Sequence, residues 1–289
     1  MISSEGLTRA RPKTDSLLKF HDEERPIGIQ LFGANPDRMA KAAALVEERQ
    51  PDLIDLNFSC PARKIVSRGA GCSLMRTPER LAAIPKAVVG ATSLPVTAKI
   101  RLGWDGNSIN AVEIARMLEE IGVRAVCVHG RTAKQAFRGC ADWKAIRKVR
   151  EAVKIPVILS GDVKQPEDAQ RAFEETGCDA LMVGRGSFGK PWIFRMMDDF
   201  LNTGTYRVPT FEEIGEVILK HLDMAIEEFG EHVAVIRFRK HLLWYTKGIP
   251  GVVGLRQQMN RVSRRHEVVS ILSVLLLRRH QKGGSLGAE

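Results

Sequence analysis

Between residues 26 and 202 the apolar positions change period at regular intervals. Short apolar-rich runs at 27–32, 53–57, 96–101, 125–129, 157–160 and 180–183 read as strands. Stretches at 37–50, 78–91, 111–121, 143–153, 165–176 and 191–201 place apolar residues three and four apart and read as helices. Asn35 or Asp37, and Asp162 or Gln165, offer oxygen acceptors where two of these helices begin. Six strands, each followed by a helix, specify a parallel sheet covered by helices. Strands buried in that way are expected to be apolar on both faces. Residues 1–26 carry no clear periodicity.

A closed (β/α)8 barrel needs eight units, and six are visible. A doubly wound open sheet is the alternative, but no Gly-x-Gly-x-x-Gly follows the first run. Glycine loops fall instead after the last two runs, where barrels keep phosphate sites after strands seven and eight. On that count the run at 27–32 is the third strand and Met1 to Ser4 the tail of the second. The expected fold is α/β, a TIM-type (β/α)8 barrel over 1–204 that is N-terminally incomplete in this chain. Such a barrel would leave 180–183 as an open edge and hold a cofactor weakly. A helical domain is expected over 205–289, with helices at 210–229, 233–245 and 254–263 and a break at Gly248-Ile249-Pro250-Gly251.

Composition narrows the function. The formal net charge of +10 favours a polyanionic partner, and from Arg237 to Lys282 eleven Lys or Arg stand against one acid, Glu267. Such a run is commonly a solvated face. Here His241, Trp244 and Tyr245 are interleaved with it, which favours an RNA-binding surface. Five scattered cysteines without a C-x-x-C pair argue against a disulfide framework or a zinc site and for the cytoplasm. Met1 to Gly6 is not a secretory signal. The apolar run from Val268 to Leu277, interrupted by Ser270 and Ser273, is far short of the ~20 residues that span a bilayer. No membrane and no metal are expected.

Candidate chemistry gathers at strand ends. Cys60 lies in a loop just past the strand at 53–57, followed by Pro61, where βα loops of barrels carry catalysis; a packed core cysteine is the bland alternative. Lys99 sits within a strand, which is costly unless it faces a phosphate, a flavin carbonyl or a carboxylate, a neighbouring Asp or Glu included. His129 ends the next strand, and Gln30 is placed to meet a ring edge. Ser160-Gly161-Asp162 and Gly184-Arg185 offer backbone N–H groups and a guanidinium for a phosphate, although glycine pairs also make ordinary turns.

In order along the chain stand Asn57-Phe58-Ser59-Cys60-Pro61 with Lys64 and Gly69-Ala70-Gly71, then Lys99-Ile100-Arg101-Leu102-Gly103-Trp104. Val128-His129-Gly130-Arg131-Thr132, Gly161-Asp162 and Met182-Val183-Gly184-Arg185-Gly186 follow, then Lys190-Pro191-Trp192-Ile193-Phe194 and Arg239-Lys240-His241 with Trp244-Tyr245. As an ordered set over residues 1–262 these resemble the tRNA-dihydrouridine synthases, a flavoenzyme family. The resemblance implies an FMN-containing barrel, NADPH (or NADH) as reductant, and reduction of uridine in tRNA by a monomeric enzyme. Hydride would pass to C6, and Cys60 would protonate C5. It also implies that Gln30, Lys99, His129, Ser160, Gly161, Asp162, Gly184 and Arg185 contact the cofactor. Asn57, Lys64, Arg131, Arg239 and Lys240 would contact the substrate. Three features depart from the family pattern: Ser59 stands where glycine is usual, Ser160 where asparagine is frequent, and no Pro-Met-Ala-type first loop is present. An inactive tRNA-binding remnant and a small-molecule pyrimidine flavoenzyme of the dihydroorotate dehydrogenase kind are the competing readings.

Overall fold

Parallel pairing organises the first part of the chain in the computed structural model, which describes residues 1–9, 12–249 and 252–280. Seven strands pair in chain order, each parallel to its neighbour: β1 Ile2–Ser3, β2 Gly28–Phe32, β3 Leu53–Asn57, β4 Val96–Arg101, β5 Ala125–His129, β6 Val157–Ser160 and β7 Ala180–Met182. The longer helices between them are α1 Pro36–Glu47, α2 Pro78–Val89, α3 Ala111–Ile121, α4 Trp143–Ala152 and α5 Pro166–Thr176, with single helical turns at Ser4–Leu7, Pro12–Asp15 and Arg63–Val66. Alternation of strand and helix therefore produces the expected α/β sheet, and Ile2–Ser3 pairs parallel beside β2. Local signals set the helix starts. Asn35 accepts from the Arg38 amide ahead of Pro36, and Asp142 accepts from the Ala145 amide.

The two faces of the sheet differ in kind, which corrects the expectation of strands apolar on both. Ile29, Leu31, Ile54, Leu56, Ala98, Ile100, Val126, Val128, Val157 and Leu159 alternate onto one face and are all buried. Each Leu, Ile or Val so buried contributes about 1.5–3 kcal/mol. The other face is largely polar. The register aligns Gln30 with Asp55 and Thr97, then Asn57 with Lys99 and Cys127, then Arg101 with His129 and Ser160. A period of two leaves no freedom to separate these residues.

At the opposite end of the strands, carboxylates tie the entering chain. Asp52 accepts from the Ile27 amide at 2.6 Å, Glu119 from the Lys154 and Ile155 amides, and Asp179 from the Val157 amide. That end carries stability, and the carboxyl end carries the polar rows.

Two compact units are present: Met1–Val163 with Glu167–Gly184, and Lys164–Pro166 with Arg185 onward. The second is helical: α6 Ile193–Thr203, α7 Phe211–Phe229, α8 Glu231–Tyr245 and α9 Arg265–His280. A capping box between Thr210 and Glu213 starts α7. Its core joins Ile218 and Leu222 to Phe238 and Leu242 and to Val268, Ile271, Leu272 and Leu275 of α9. Val268, Ile271, Leu272 and Leu275 of that run are thus the inner stripe of a packed helix. The helix expected at 254–263 is replaced by short turns at Val253–Leu255 and Arg256–Met259. Glu267 explains the stop, because its Oε2 accepts from the Ser263 and Arg264 amides and restarts the chain as α9. Among the described residues no helix is long and apolar enough to cross a membrane.

One glycine after β4 is indispensable. A Cβ at Gly103 would lie 2.0 Å from the Ser108 carbonyl oxygen, whereas at Gly106 in the same loop it would meet nothing within 4 Å. Gly103→Ala is therefore expected to cost about 2–3 kcal/mol in urea unfolding, with Gly106→Ala near neutral. Equal midpoints for the two variants would show that the loop relaxes freely.

Candidate active site

The polar rows converge at the carboxyl ends of β2 to β6. Gln30 donates through Nε2 to Asp55 Oδ2 at 2.6 Å, and Thr97 Oγ1 donates to Asp55 Oδ1 at 2.7 Å. Asn57 Nδ2 donates to Gln30 Oε1 at 2.8 Å, while Asn57 Oδ1 accepts from the amides of Ser59 and Cys60 at 3.1 and 2.9 Å. The loop bearing Cys60 is therefore tied to the last residue of its own strand. Arg101, 1% exposed, holds it from the other side, donating through Nε to the Ser59 carbonyl at 2.7 Å. The same guanidinium reaches the Thr132 and Ala136 carbonyls, which joins the Cys60 loop to the loop after β5. Gly71, at φ +62°, lets the following turn close on Cys60; a Cβ there would lie 2.7 Å from the Cys60 carbonyl oxygen.

Cys60 is half-buried, Cys140 is exposed, and Cys72, Cys127 and Cys178 are buried, all five as free thiols. Burial pushes the Cys72 and Cys127 thiols up to about 11. Across the mouth, Lys99 Nζ lies 3.3 Å from Ser160 Oγ, a long contact to a neutral hydroxyl. Asp162, with φ +61°, turns its carboxylate inward, where Oδ2 accepts from Arg131 Nη2 at 2.6 Å and from the Ala141 amide at 2.7 Å. Gly161, at φ +116°, would bring a Cβ within 3.0 Å of the His129 ring.

His129 is held neutral. Burial above all, and then the charges of Arg101, Lys99 and Arg131, lower its pKa to about 3, with Asp162 pulling the other way. Arg131 Nη1 lies 3.4 Å from His129 Nε2. A guanidinium only donates, so Nε2 is the acceptor nitrogen and the ring proton sits on Nδ1.

Over residues 1–280 the chain matches the family of description "Dihydrouridine synthase (Dus)". The chain belongs to the dihydrouridine synthase family. Similar proteins include the probable tRNA-dihydrouridine synthase of Rickettsia prowazekii, 41% identical over 262 residues, 90% of this chain and 80% of that one. The tRNA-dihydrouridine synthase B of Pseudomonas aeruginosa is 40% identical over 245 residues, 84% of this chain and 74% of that one. Among solved structures, the old yellow enzyme homologue from Zymomonas mobilis overlaps 62% of this chain and 54% of its own at 15% identity, with a TM-score of 0.42.

Within this family member the residues singled out from sequence fall into three groups. Gln30, Asn57, Cys60, Lys99, His129, Ser160, Gly161 and Asp162 share the mouth of the first unit. Arg131 is there too but is 1% exposed, with Nε on the Arg138 carbonyl and Nη2 on Gly139 and Asp162. Its donors serve the loop. Gly184 closes the first unit and Arg185 opens the second. Lys64 is exposed on the helical turn Arg63–Val66. In the second unit Lys240 is exposed and lies 5.9 Å from the Trp244 ring, while Arg239 donates to the Val262 carbonyl at 2.9 Å. The sequence alone points to no role for Asp55, Thr97 and Arg101. Their signal was the alternation itself, since Asp55 and Asn57, and Thr97, Lys99 and Arg101, are two apart within strands.

The state of His129 has a measurable consequence. Its folded pKa near 3 lies below the unfolded value near 6.5, so between them only the unfolded chain binds this proton. Stability from this group is therefore full above about pH 6.5 and falls as pH drops towards 3. His129→Asn should narrow the gap between urea midpoints at about pH 7.5 and about pH 4.5. By NMR the ring should show no titration across that range. A midpoint near 6.5 would refute a neutral, buried ring.

Proposed function

We propose that this chain is an FMN-dependent tRNA-dihydrouridine synthase of the cytoplasm, with the catalytic barrel in the first compact unit and tRNA binding by the second, helical unit. The reading rests most on one observation. A half-buried cysteine at a strand end has its backbone fixed by Asn57 and Arg101, beside a mouth that carries Lys99, Arg101 and Arg131 against Asp55 and Asp162.

The donor set suits a flavin. The Lys99 ammonium makes a long contact to the neutral Ser160 hydroxyl, with the Asp55 carboxyl and the Cys127 thiol also near it, and keeps donors for an electron-rich carbonyl edge. Gln30 spends one N–H on Asp55 and retains the other for a ring edge. Gly161 presents bare backbone beside His129, where any side chain would crowd the ring. Ser160, Gly161, Asp162, Gly184 and Arg185 would hold the phosphate end. The bound flavin, reduced by NADPH (or NADH), would supply the hydride chemistry for C6 of a tRNA uracil.

Cys60 then donates its proton to C5 from the loop after β3. His129, neutral at working pH, offers the uracil Nδ1–H as a donor without adding charge. Arg131 acts through its neighbours, holding Asp162 and the His129 tautomer. The uridine must leave its stack to enter the mouth. Lys64 and Lys240 are exposed and available to backbone phosphates. Arg239 serves first as a tie to the Val262 carbonyl.

Cys60→Ala should lower single-turnover dihydrouridine formation from prereduced enzyme by ~10²–10⁴ while flavin per chain is retained. Cys140→Ser should leave turnover unchanged, since that thiol is exposed and outside the network. Full activity of Cys60→Ala on tRNA removes the cysteine from the reaction, and turnover of free pyrimidines in place of tRNA would favour the small-molecule reading.

Binding of tRNA should weaken steeply with salt. Lys240→Ala with Lys247→Ala should reduce the slope of log K against log salt by about 1 per lost phosphate contact. An unchanged slope would move the interface elsewhere. Arg239 is a poor choice for that test, because its loss also frees the Val262 carbonyl.

A further inference from the structure

The hydrogen bonds around Asn57 can be read in one direction only. The amides of Ser59 and Cys60 are backbone donors and admit no alternative, so the Asn57 atom facing them at 3.1 and 2.9 Å is its oxygen. Its nitrogen must then face Gln30, 2.8 Å away, which makes that Gln30 atom the oxygen. The Gln30 nitrogen in turn faces residue 55 at 2.6 Å, and the chain can end there only on an acceptor. Asp55 supplies it. The other Asp55 oxygen is engaged by the Thr97 hydroxyl at 2.7 Å, so the carboxylate cannot rotate out of line. Burial pushes the Asp55 carboxyl up, while the Gln30 and Thr97 bonds and the Lys99 charge pull it down. Either protonation state leaves an acceptor towards Gln30.

We infer that Asp55 is a positioning residue for Cys60, acting through Gln30 and Asn57, which fix the two backbone amides at the acid's own loop. The inference rests on the proposed role of Cys60 as proton donor. Its physical content is an orientation relay. An amide can flip by 180° at little steric cost, and a flipped Asn57 would turn its NH2 towards the amides of Ser59 and Cys60, donor against donor. A flipped Gln30 would force that outcome. The acceptor-only end at Asp55 makes the flipped states costly. No contact between Asp55 and the reacting atoms is needed.

Two substitutions separate this role from simple packing. Asp55→Leu keeps the approximate shape and removes the acceptor. Asp55→Asn keeps an acceptor towards Gln30, because the Thr97 hydroxyl can turn and accept from the new NH2. The first measurement is hydrogen exchange of the Ser59 and Cys60 amides in the chain without added cofactor. Asp55→Leu should speed it at least tenfold, and Asp55→Asn should restore it to within a few-fold of wild type. The second is single-turnover reduction of tRNA uridine from prereduced enzyme. Asp55→Leu should lose about 10–100-fold, and that loss should vanish in a Cys60→Ala background, since residues acting as one unit are not additive. Unchanged exchange in Asp55→Leu overturns the relay. A loss that multiplies with that of Cys60→Ala overturns the positioning of the acid while leaving the acid itself intact. Full turnover by Cys60→Ala sinks the acid and this inference with it. Should Asp55→Leu fail to fold, Gln30→Met cuts the same relay one link later and must speed the same two amides, or the inference falls.

Discussion

The parallel register of β2 to β6 is the constraint on which the candidate site depends. Gln30, Asp55 and Thr97 lie in one row because the register aligns them, and Arg101, His129 and Ser160 lie in another for the same reason. A slip of one residue in any strand would carry its polar residues under the helices and its Leu and Ile residues into the mouth. The same apolar burial that stabilises the sheet therefore locates the chemistry. Hydrophobic pairing with helices decides which face is outer, and the polar face has nowhere else to go.

Loops complete what the strands begin, and they do so through buried guanidinium groups. Arg101 and Arg131 are each about 1% exposed, yet each is surrounded by carbonyl oxygens, and Arg131 also meets a carboxylate. Neither is a surface charge in waiting. Their planar forks match several acceptors at once, and removing a buried partner would leave an uncompensated charge worth about 3–5 kcal/mol. This arrangement leaves Lys99, with its longer and weaker contact to Ser160, as the cation of the mouth best placed to serve a ligand.

In the helical unit the basic residues divide their work in a similar way. Arg265 forks onto Asp223 at 2.6 and 2.9 Å, Arg264 pairs with Glu231, and Arg237 lies 4.6 Å from the Phe229 ring. Trp244 stacks on Phe188 and the Tyr245 hydroxyl lies 3.1 Å from His221 Nδ1. Gly189 makes the first contact possible, since a Cβ there would lie 2.3 Å from the Trp244 backbone. The aromatic residues interleaved with the basic run thus build the unit, and what faces solvent is a smaller set that includes Lys240, Lys247, Arg256 and Arg261.

The sequence by itself determined the strand and helix alternation, because the change between periods of two and 3.6 is written in the apolar positions. It also singled out Cys60, Lys99, His129 and the Ser160-Gly161-Asp162 loop, because a polar group at a buried strand end costs free energy unless a partner or ligand meets it. It did not reveal which polar residues would meet. Asp55 and Gln30 are 25 positions apart, and only pairing of β2 with β3 brings them to 2.6 Å. Arg131 reads as a basic loop residue open to substrate until the turn at Gly161 and Asp162 delivers a carboxylate to it. The stop near 260 and the start of α9 likewise depend on Glu267 reaching back to Ser263 and Arg264. Periodicity reports the face on which a residue lies. Tertiary structure alone decides its partner, since partners are chosen by register and loop geometry across distances that no local pattern encodes.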